Sequence, residues 1–370
     1  MKRIAVITLH RATNFGSMLQ TYATQLYLEK LGHQVEIIDF VPQGLSFRQA
    51  LFPANSEASL IRKAVRLIPA FLCNSIQFAV VHRFVRRYIH VTPVRYSRYS
   101  DILRSIPKAD IYLSGSDQVW NTQNNNHKED IQAYYLNFVP DGYIKIAYAG
   151  SFGKTKLSEE EATEISHYLK RYWAIGVRED SALDLLKKLG IPNGMHVLDP
   201  TFLIEPEEWL KFLGNRRPPK PGYLMVYNLN RNKAISKYAR EIAERKQLRI
   251  VNFADTYEFV PHAKNRLVNT AMDFINYIAH ADYVITDSFH ATAYSLSYSK
   301  DFICVSPPKY ASRLESILRK TGLRDRIFYD EVDMNVALQP VDYDIVQNIL
   351  SKEKNRSKEF LIKAIDGIVS

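Results

Sequence analysis

The chain has 370 residues, 46% hydrophobic and 24% charged, which is the balance of a soluble globular protein and leaves room for two domains with ample cores. Its two cysteines, Cys73 and Cys304, stand far apart, which excludes a disulfide scaffold or a cysteine-rich zinc site and suits a reducing compartment. The formal net charge is +10, most of it concentrated between residues 48 and 100, where Arg48, Arg62, Lys63, Arg66, Arg83, Arg86, Arg87, Arg95 and Arg98 face Glu57 alone.

The opening run Lys2–Thr8 predicts a buried strand. It is too short for a secretory signal before His10-Arg11, and no apolar stretch approaches the roughly 20 residues of a membrane span, so a cytoplasmic protein is expected. A polar loop, His10–Ser17, leads into helical spacing from Gln20 to Leu31, closed by Gly32, and then a second strand, Val35–Phe40. This strand–loop–helix–strand unit predicts a parallel crossover. The loop has one glycine where a dinucleotide fingerprint needs three, so it suits a hydroxylated ligand instead. Apolar residues (Ile61, Val65, Leu67, Ile68, Phe71, Leu72) accompany the cations of segment 48–100. Two readings stand there, a solvated basic helix face and a basic amphipathic segment facing an anionic membrane. No nucleic-acid partner is expected, since there is no zinc finger, RNA-binding aromatic signature or helix-turn-helix.

Ala109–Leu113 predicts the next strand, followed by Ser114-Gly115-Ser116-Asp117-Gln118-Val119-Trp120-Asn121. Planar hydrogen-bonding groups beside an apolar ring are the vocabulary of sugar binding; the plainer alternative is a polar turn over a buried Trp. Asn124–Lys128 has the character of a flexible insert. The strand Ile144–Ala149 runs into Gly150–Thr155, which imitates a phosphate loop but has Tyr148 at the position of the required first glycine. Glu159–Arg171 is a helix ordered acid to base, Trp173–Val177 a strand, and Arg178-Glu179-Asp180-Ser181 opens a helix through Leu189. Arg178 ends a strand, where it either pairs with a neighbouring acid or clamps a carboxylate or phosphate.

Val197–Thr201 closes the first half, and the proline-rich run at 218–222 marks a boundary, giving domains 1–210 and 211–370. Strands Tyr223–Leu229 and Arg249–Ala254 flank a helix, Ala234–Lys246, and another helix spans Thr270–Ala281. Tyr283–Thr286 is a short β-rich run, Asp287-Ser288 supplies capping chemistry, and His290 falls in the first turn of the next helix. In an open α/β sheet ligands bind at that end, and a helix start welcomes an anion; the bland alternative is a His that satisfies a turn. Phe302–Val305 is a strand, the loop Pro307–Arg313 leads into helix Leu314–Thr321, and a charged helix, Asp344–Ile368, finishes the chain. No His-Glu-x-x-His, paired-cysteine cluster or Gly-x-Ser-x-Gly elbow occurs, and Asp342-Tyr343-Asp344 has a capping context, so no metal is expected. One well-placed His and basic residues at strand ends in both halves fit a small doubly anionic donor in an interdomain cleft.

Asn14-Phe15-Gly16-Ser17 with Gln20 and Tyr22, Gly115–Asn121, Ser151-Phe152-Gly153, Val177-Arg178-Glu179 with Ser181-Ala182, Asp199-Pro200-Thr201, Thr286–His290, Ser312-Arg313, Gly322-Leu323 and Arg326 form an ordered set. Together they resemble the polysaccharide pyruvyl transferases across nearly the whole chain. Ala291 departs from the family, whose members usually carry Gly there, and the added methyl bears on the approach to the donor.

The resemblance implies an α/β fold of two Rossmann-like domains in a GT-B-like arrangement with an interdomain cleft. It implies transfer of pyruvate from phosphoenolpyruvate onto two hydroxyls of a sugar, forming a ketal, in a cell-surface polysaccharide or its polyprenyl-linked precursor. Phosphoenolpyruvate is the co-substrate, and no cofactor or metal is expected. Carried onto this sequence, the catalytic residues are His290, Arg178 and Arg313, with donor binding by Ser288, Lys309, Ser312 and Ser151. Acceptor binding falls to Asn14, Gly16, Ser17, Gln20, Ser116, Asp117, Gln118 and Trp120. The donor's carboxylate and phosphate want at least two cations, and protonation of its methylene carbon wants an acid titrating near neutrality. Two alternatives stay open: a nucleotide-sugar glycosyltransferase of the same fold, and a non-catalytic carbohydrate-binding protein. A lipid-linked acceptor would go with peripheral contact at the inner face of the plasma membrane through segment 48–100.

Overall fold

The computed structural model describes residues 1–42, 75–122, 128–230, 232–253, 259–306, 311–329 and 331–367. They form two compact units, Met1–Pro200 with Ser357–Ser370, and Thr201–Arg356.

The first unit is built on seven strands: β1 Arg3–Ile7, β2 Gln34–Phe40, β3 Val91–Tyr96, β4 Ile111–Ser114, β5 Ile144–Gly150, β6 Ala174–Val177 and β7 Met195–His196. All pair in parallel, in the order β3-β2-β1-β4-β5-β6-β7. The inner strands are apolar on both faces because helices cover both; β4 is buried at every position. Chain order reverses between β1 and β4, so the loops leaving their carboxyl ends part there and open a crevice.

The second unit repeats the plan with β8 Tyr223–Tyr227, β9 Arg249–Phe253, β10 Lys264–Arg266, β11 Tyr283–Thr286, β12 Asp301–Val305 and β13 Ile327–Phe328. The parallel order is β10-β9-β8-β11-β12-β13, with the reversal between β8 and β11. Each unit is therefore Rossmann-like.

Three differences from the sequence reading have physical causes. The first helix begins at Phe15, inside the expected loop, because Asn14 is extended and its Oδ1 accepts the Gly16 N–H at 2.8 Å. Strand β3 falls within the segment taken as a basic face; Pro93 and Arg95 disguise it, and an edge strand tolerates both. The units divide at Pro200/Thr201, and the end of the last helix, Tyr343–Asp366, returns to the first unit. There the Ser357 hydroxyl accepts the Leu198 N–H at 2.9 Å, and Phe360 packs 6.5 Å from the Tyr148 ring. Phe360 lies so close to β6 that a Cβ on Gly176 would stand 2.8 Å from its ring.

Of segment 48–100, residues 48–74 lie outside the described residues, as do 123–127 of the expected insert. Residues 75–88 form a helix with Val81, Phe84 and Val85 buried and Arg83, Arg86 and Arg87 exposed. No described helix is long and apolar enough to cross a membrane.

Gly176→Val drives a side chain into Phe360 and should cost about 1–3 kcal/mol of unfolding free energy through overpacking. A denaturant midpoint unchanged from the parent would show that the helix end is not seated on β6.

Candidate active site

In the second unit, the ends of β8 and β11 are tied together by the last side chain of β11 and the one that follows it. The Thr286 hydroxyl donates to the Tyr227 carbonyl at 2.7 Å and accepts the Ser288 N–H at 3.0 Å. The buried Asp287 carboxylate accepts the N–H groups of Leu229 at 2.6 Å and Asn230 at 2.8 Å. Burial raises its pKa, and these two bonds pull against the rise. Ser288 then caps the helix Phe289–Ser297, its hydroxyl accepting the Ala291 N–H at 3.4 Å.

His290 is the second residue of that helix and 3% exposed, its ring edge-on to Phe289 at 5.3 Å. It sits at the reversal point of the sheet, in the turn where helical N–H groups have no intrahelical acceptor. Behind it the helix is rigidly packed: Ser295 donates to the Ala291 carbonyl at 2.8 Å, and Thr292 meets the Cys304 sulfur at 3.0 Å. Burial pushes that thiol up to about 12, so it is inert. The Ala291 methyl is wholly buried. Ser312 and Arg313 open the helix Ser312–Lys320, which follows β12, the neighbour of β11. His290, Ser288, Ser312 and Arg313 thus all lie beyond the carboxyl ends of two adjacent strands. Lys309 lies outside the described residues.

In the first unit, most residues expected to touch ligands are bonded to one another. The Arg178 guanidinium is 1% exposed, with Nη1 2.9 Å from Asp199 Oδ2 and Nη2 3.4 Å from Asp117 Oδ1. Burial would lower its pKa, but the charges of Asp199, Asp117 and Glu179 raise it. Of the two alternatives left open for this strand-end arginine, the structure shows ion pairing, with Asp117 and Asp199 as the acids, and the guanidinium organises the loops after β4, β6 and β7. The Ser116 hydroxyl donates to Asp199 at 2.8 Å, Ser17 donates to Asp117, and Ser151 donates to Glu179 at 2.7 Å. Gln20 donates to the Thr8 hydroxyl at 2.9 Å, and Thr8 to the Ser116 carbonyl at 2.9 Å. Gly16 is buried in the first helix.

Trp120 corrects the sugar-platform reading. It is wholly buried, stacked on Tyr135 with centroids 5.6 Å apart, and so close to Gly150 that a Cβ there would stand 2.9 Å from its ring. Of the expected acceptor set, Asn14 and Gln118 keep partly exposed side chains.

One cluster was missed. His10 Nε2 stands 2.9 Å from Asp39 Oδ1, Arg11 grips both Asp39 oxygens at 2.7 and 2.9 Å, and Arg95 Nε is 3.0 Å away. Burial alone would raise the Asp39 carboxyl, but hydrogen bonds from His10, Arg11 and Arg95 outweigh it and hold the group well below the usual carboxylate range. His10-Arg11 at a strand's end was a visible signal. Its partner lies on the next strand and Arg95 on the unrecognised β3. Among the described residues no cluster of His, Cys, Asp and Glu could hold a metal.

A family model described as polysaccharide pyruvyl transferase matches residues 14–309. Among solved structures, the chain is similar to UDP-GlcNAc 2-epimerase from Neisseria meningitidis bound to UDP-GlcNAc, at 10% identity over 99% of each chain with a TM-score of 0.52. It is also similar to a second UDP-N-acetylglucosamine 2-epimerase, at 12% identity over 99% of this chain and 96% of the other, with a TM-score of 0.50. At such identities the likeness shows the fold alone, two Rossmann-like domains of the GT-B-like class. No curated protein matches the chain.

Arg178→Met leaves Asp117 and Asp199 buried without their cation and should cost about 3–5 kcal/mol of stability. Retained melting temperature with lost activity would instead return Arg178 to direct contact with an anion. The Asp39 carboxyl, depressed in the folded state, stabilises the protein fully above the unfolded carboxylate range. That contribution is lost as pH falls, between roughly pH 5 and pH 1. Asp39→Asn should flatten this acid limb of the stability–pH curve, and an unchanged limb would show that the cluster contributes none of it.

Proposed function

The chain belongs to the polysaccharide pyruvyl transferase family, and we propose that it moves pyruvate from phosphoenolpyruvate onto two hydroxyls of one sugar, forming a cyclic ketal. One observation carries the reading: a histidine in the first turn of a helix at the reversal point of the second unit's sheet, with Arg313 opening the helix after the neighbouring strand. Phosphoenolpyruvate brings a carboxylate and a phosphate. Helical N–H groups at the Ser288 cap and the Arg313 guanidinium are the complementary donors.

In the proposed reaction His290 delivers a proton to the methylene carbon, which becomes a methyl group and leaves an oxocarbenium-like centre at the adjacent carbon. One sugar hydroxyl adds there and gives up its proton, which restores the acid. The bond to the phosphate oxygen then breaks, phosphate departs, and the second hydroxyl closes the ring. Its proton leaves with the phosphate. The two hydroxyl protons thus balance the new methyl hydrogen and the protonated phosphate.

Arg178 takes part as the organiser of the first unit's loops. On the acceptor side the reading keeps Asn14 and Gln118, whose side chains are partly exposed. The acceptor is proposed to be a cell-surface polysaccharide unit or its polyprenyl-linked precursor, handled at the inner face of the plasma membrane; the exposed Arg83, Arg86 and Arg87 support that placement.

His290→Ala should lower acceptor-dependent phosphate release by roughly 10²–10⁴-fold while leaving the melting temperature near that of the parent. Normal turnover would remove His290 from the chemistry. Arg313→Ala, losing a charge-assisted bond of about 1.5–3 kcal/mol, should reduce kcat/KM for phosphoenolpyruvate by roughly ten- to a hundredfold. A nucleotide-sugar transferase of the same fold would be protected from heat by a nucleotide sugar and not by phosphoenolpyruvate; that pattern would overturn the proposal.

A further inference from the structure

At the opposite end of the first unit's sheet, where the strands begin, a cavity of about 250 Å³ lies between the start of β6, the turn at 190–193 and the end of the last helix. It exists because β7 has two residues and pairs only with Gly176 and Val177. Ala174 and Ile175 therefore have no strand beside them on that edge. Trp173, Ile175, Ile191 and Phe360 form apolar walls. The Phe360 wall is fixed, because its ring rests against Gly176.

Trp173 is 44% exposed, whereas Trp120 and Trp209 are buried. A large ring left open beside an apolar hollow is surface that association would cover. Two cations line the same hollow. Lys363 pairs with Glu359 at 2.8 Å, one turn back on its helix. Lys170 pairs with no carboxylate among the described residues, and its ammonium reaches within 4.0 Å of where a Gly190 side chain would begin. Gly190 has φ +74°, so that approach is kept open by a position disfavouring any larger residue.

The geometry points to a second ligand site, for a small flat apolar molecule bearing one anionic group. Its body lies against Trp173 and Phe360, and its anion meets Lys170. The site shares no residue with the proposed transfer chemistry, which uses the carboxyl ends of the strands, so the two stand or fall separately.

Anilinonaphthalene sulfonate has this chemistry and is the probe. Titrated into the full chain, it should bind with one-to-one stoichiometry, brighten on binding and quench tryptophan emission. Trp173→Ala, which removes one apolar wall, should weaken binding at least tenfold. Lys170→Glu, at an exposed position whose loss leaves the core intact, should weaken binding at least tenfold. Equal affinity in Lys170→Glu, equal affinity in Trp173→Ala, or displacement of the dye by phosphoenolpyruvate would each overturn the assignment. The last would place the dye in the donor site.

Discussion

A guanidinium taken out of water must be matched by carboxylates with bonds to spare, and in the first unit that constraint dictates the rest. Arg178 ends β6, Asp117 follows β4, and Asp199 follows β7, so satisfying one buried charge fixes three loops at once. Asp117 adopts φ 81°, a conformation unusual for a residue with a side chain, and it is held there by Ser17, Gln118 and Arg178 together. Such a network leaves few alternative arrangements of the crevice rim, because every displaced group would be buried without a partner.

The second unit reaches the same end by gentler means. Asp287 is also buried at a reversal point, but its partners are the backbone N–H groups of Leu229 and Asn230. Among the described residues no side-chain cation is consumed. The unit with the self-neutralised charges thus presents a rigid polar rim, whereas the second unit places His290 and Arg313 at its helix starts.

How much of this was legible in the sequence depends on how local the cause is. The strand at Tyr283–Thr286, the Ser288 cap and the placement of His290 follow from adjacent residues, and the structure has them there. Arg178 was visible as a strand-end arginine, but its partners lie 61 and 21 residues away and sequence spacing says nothing of them. Trp120 sits among polar residues in the chain, which suggested an open ring; only the stacking of Tyr135 from a later segment shows it to be core. Strand β3 was hidden for a related reason, since its proline and arginine are tolerated by its place at the sheet's edge.

The last helix starts in one unit and ends in the other, so the first unit is discontinuous along the chain. Its larger part is synthesised before the second unit and its closing helix end after it. Until Ser357 and Phe360 emerge, the Leu198 amide lacks its acceptor and the face of β6 at Gly176 stays bare. Folding of the first unit therefore waits on synthesis of the whole second unit, and in that interval its open apolar seam is a surface for chaperones and proteases.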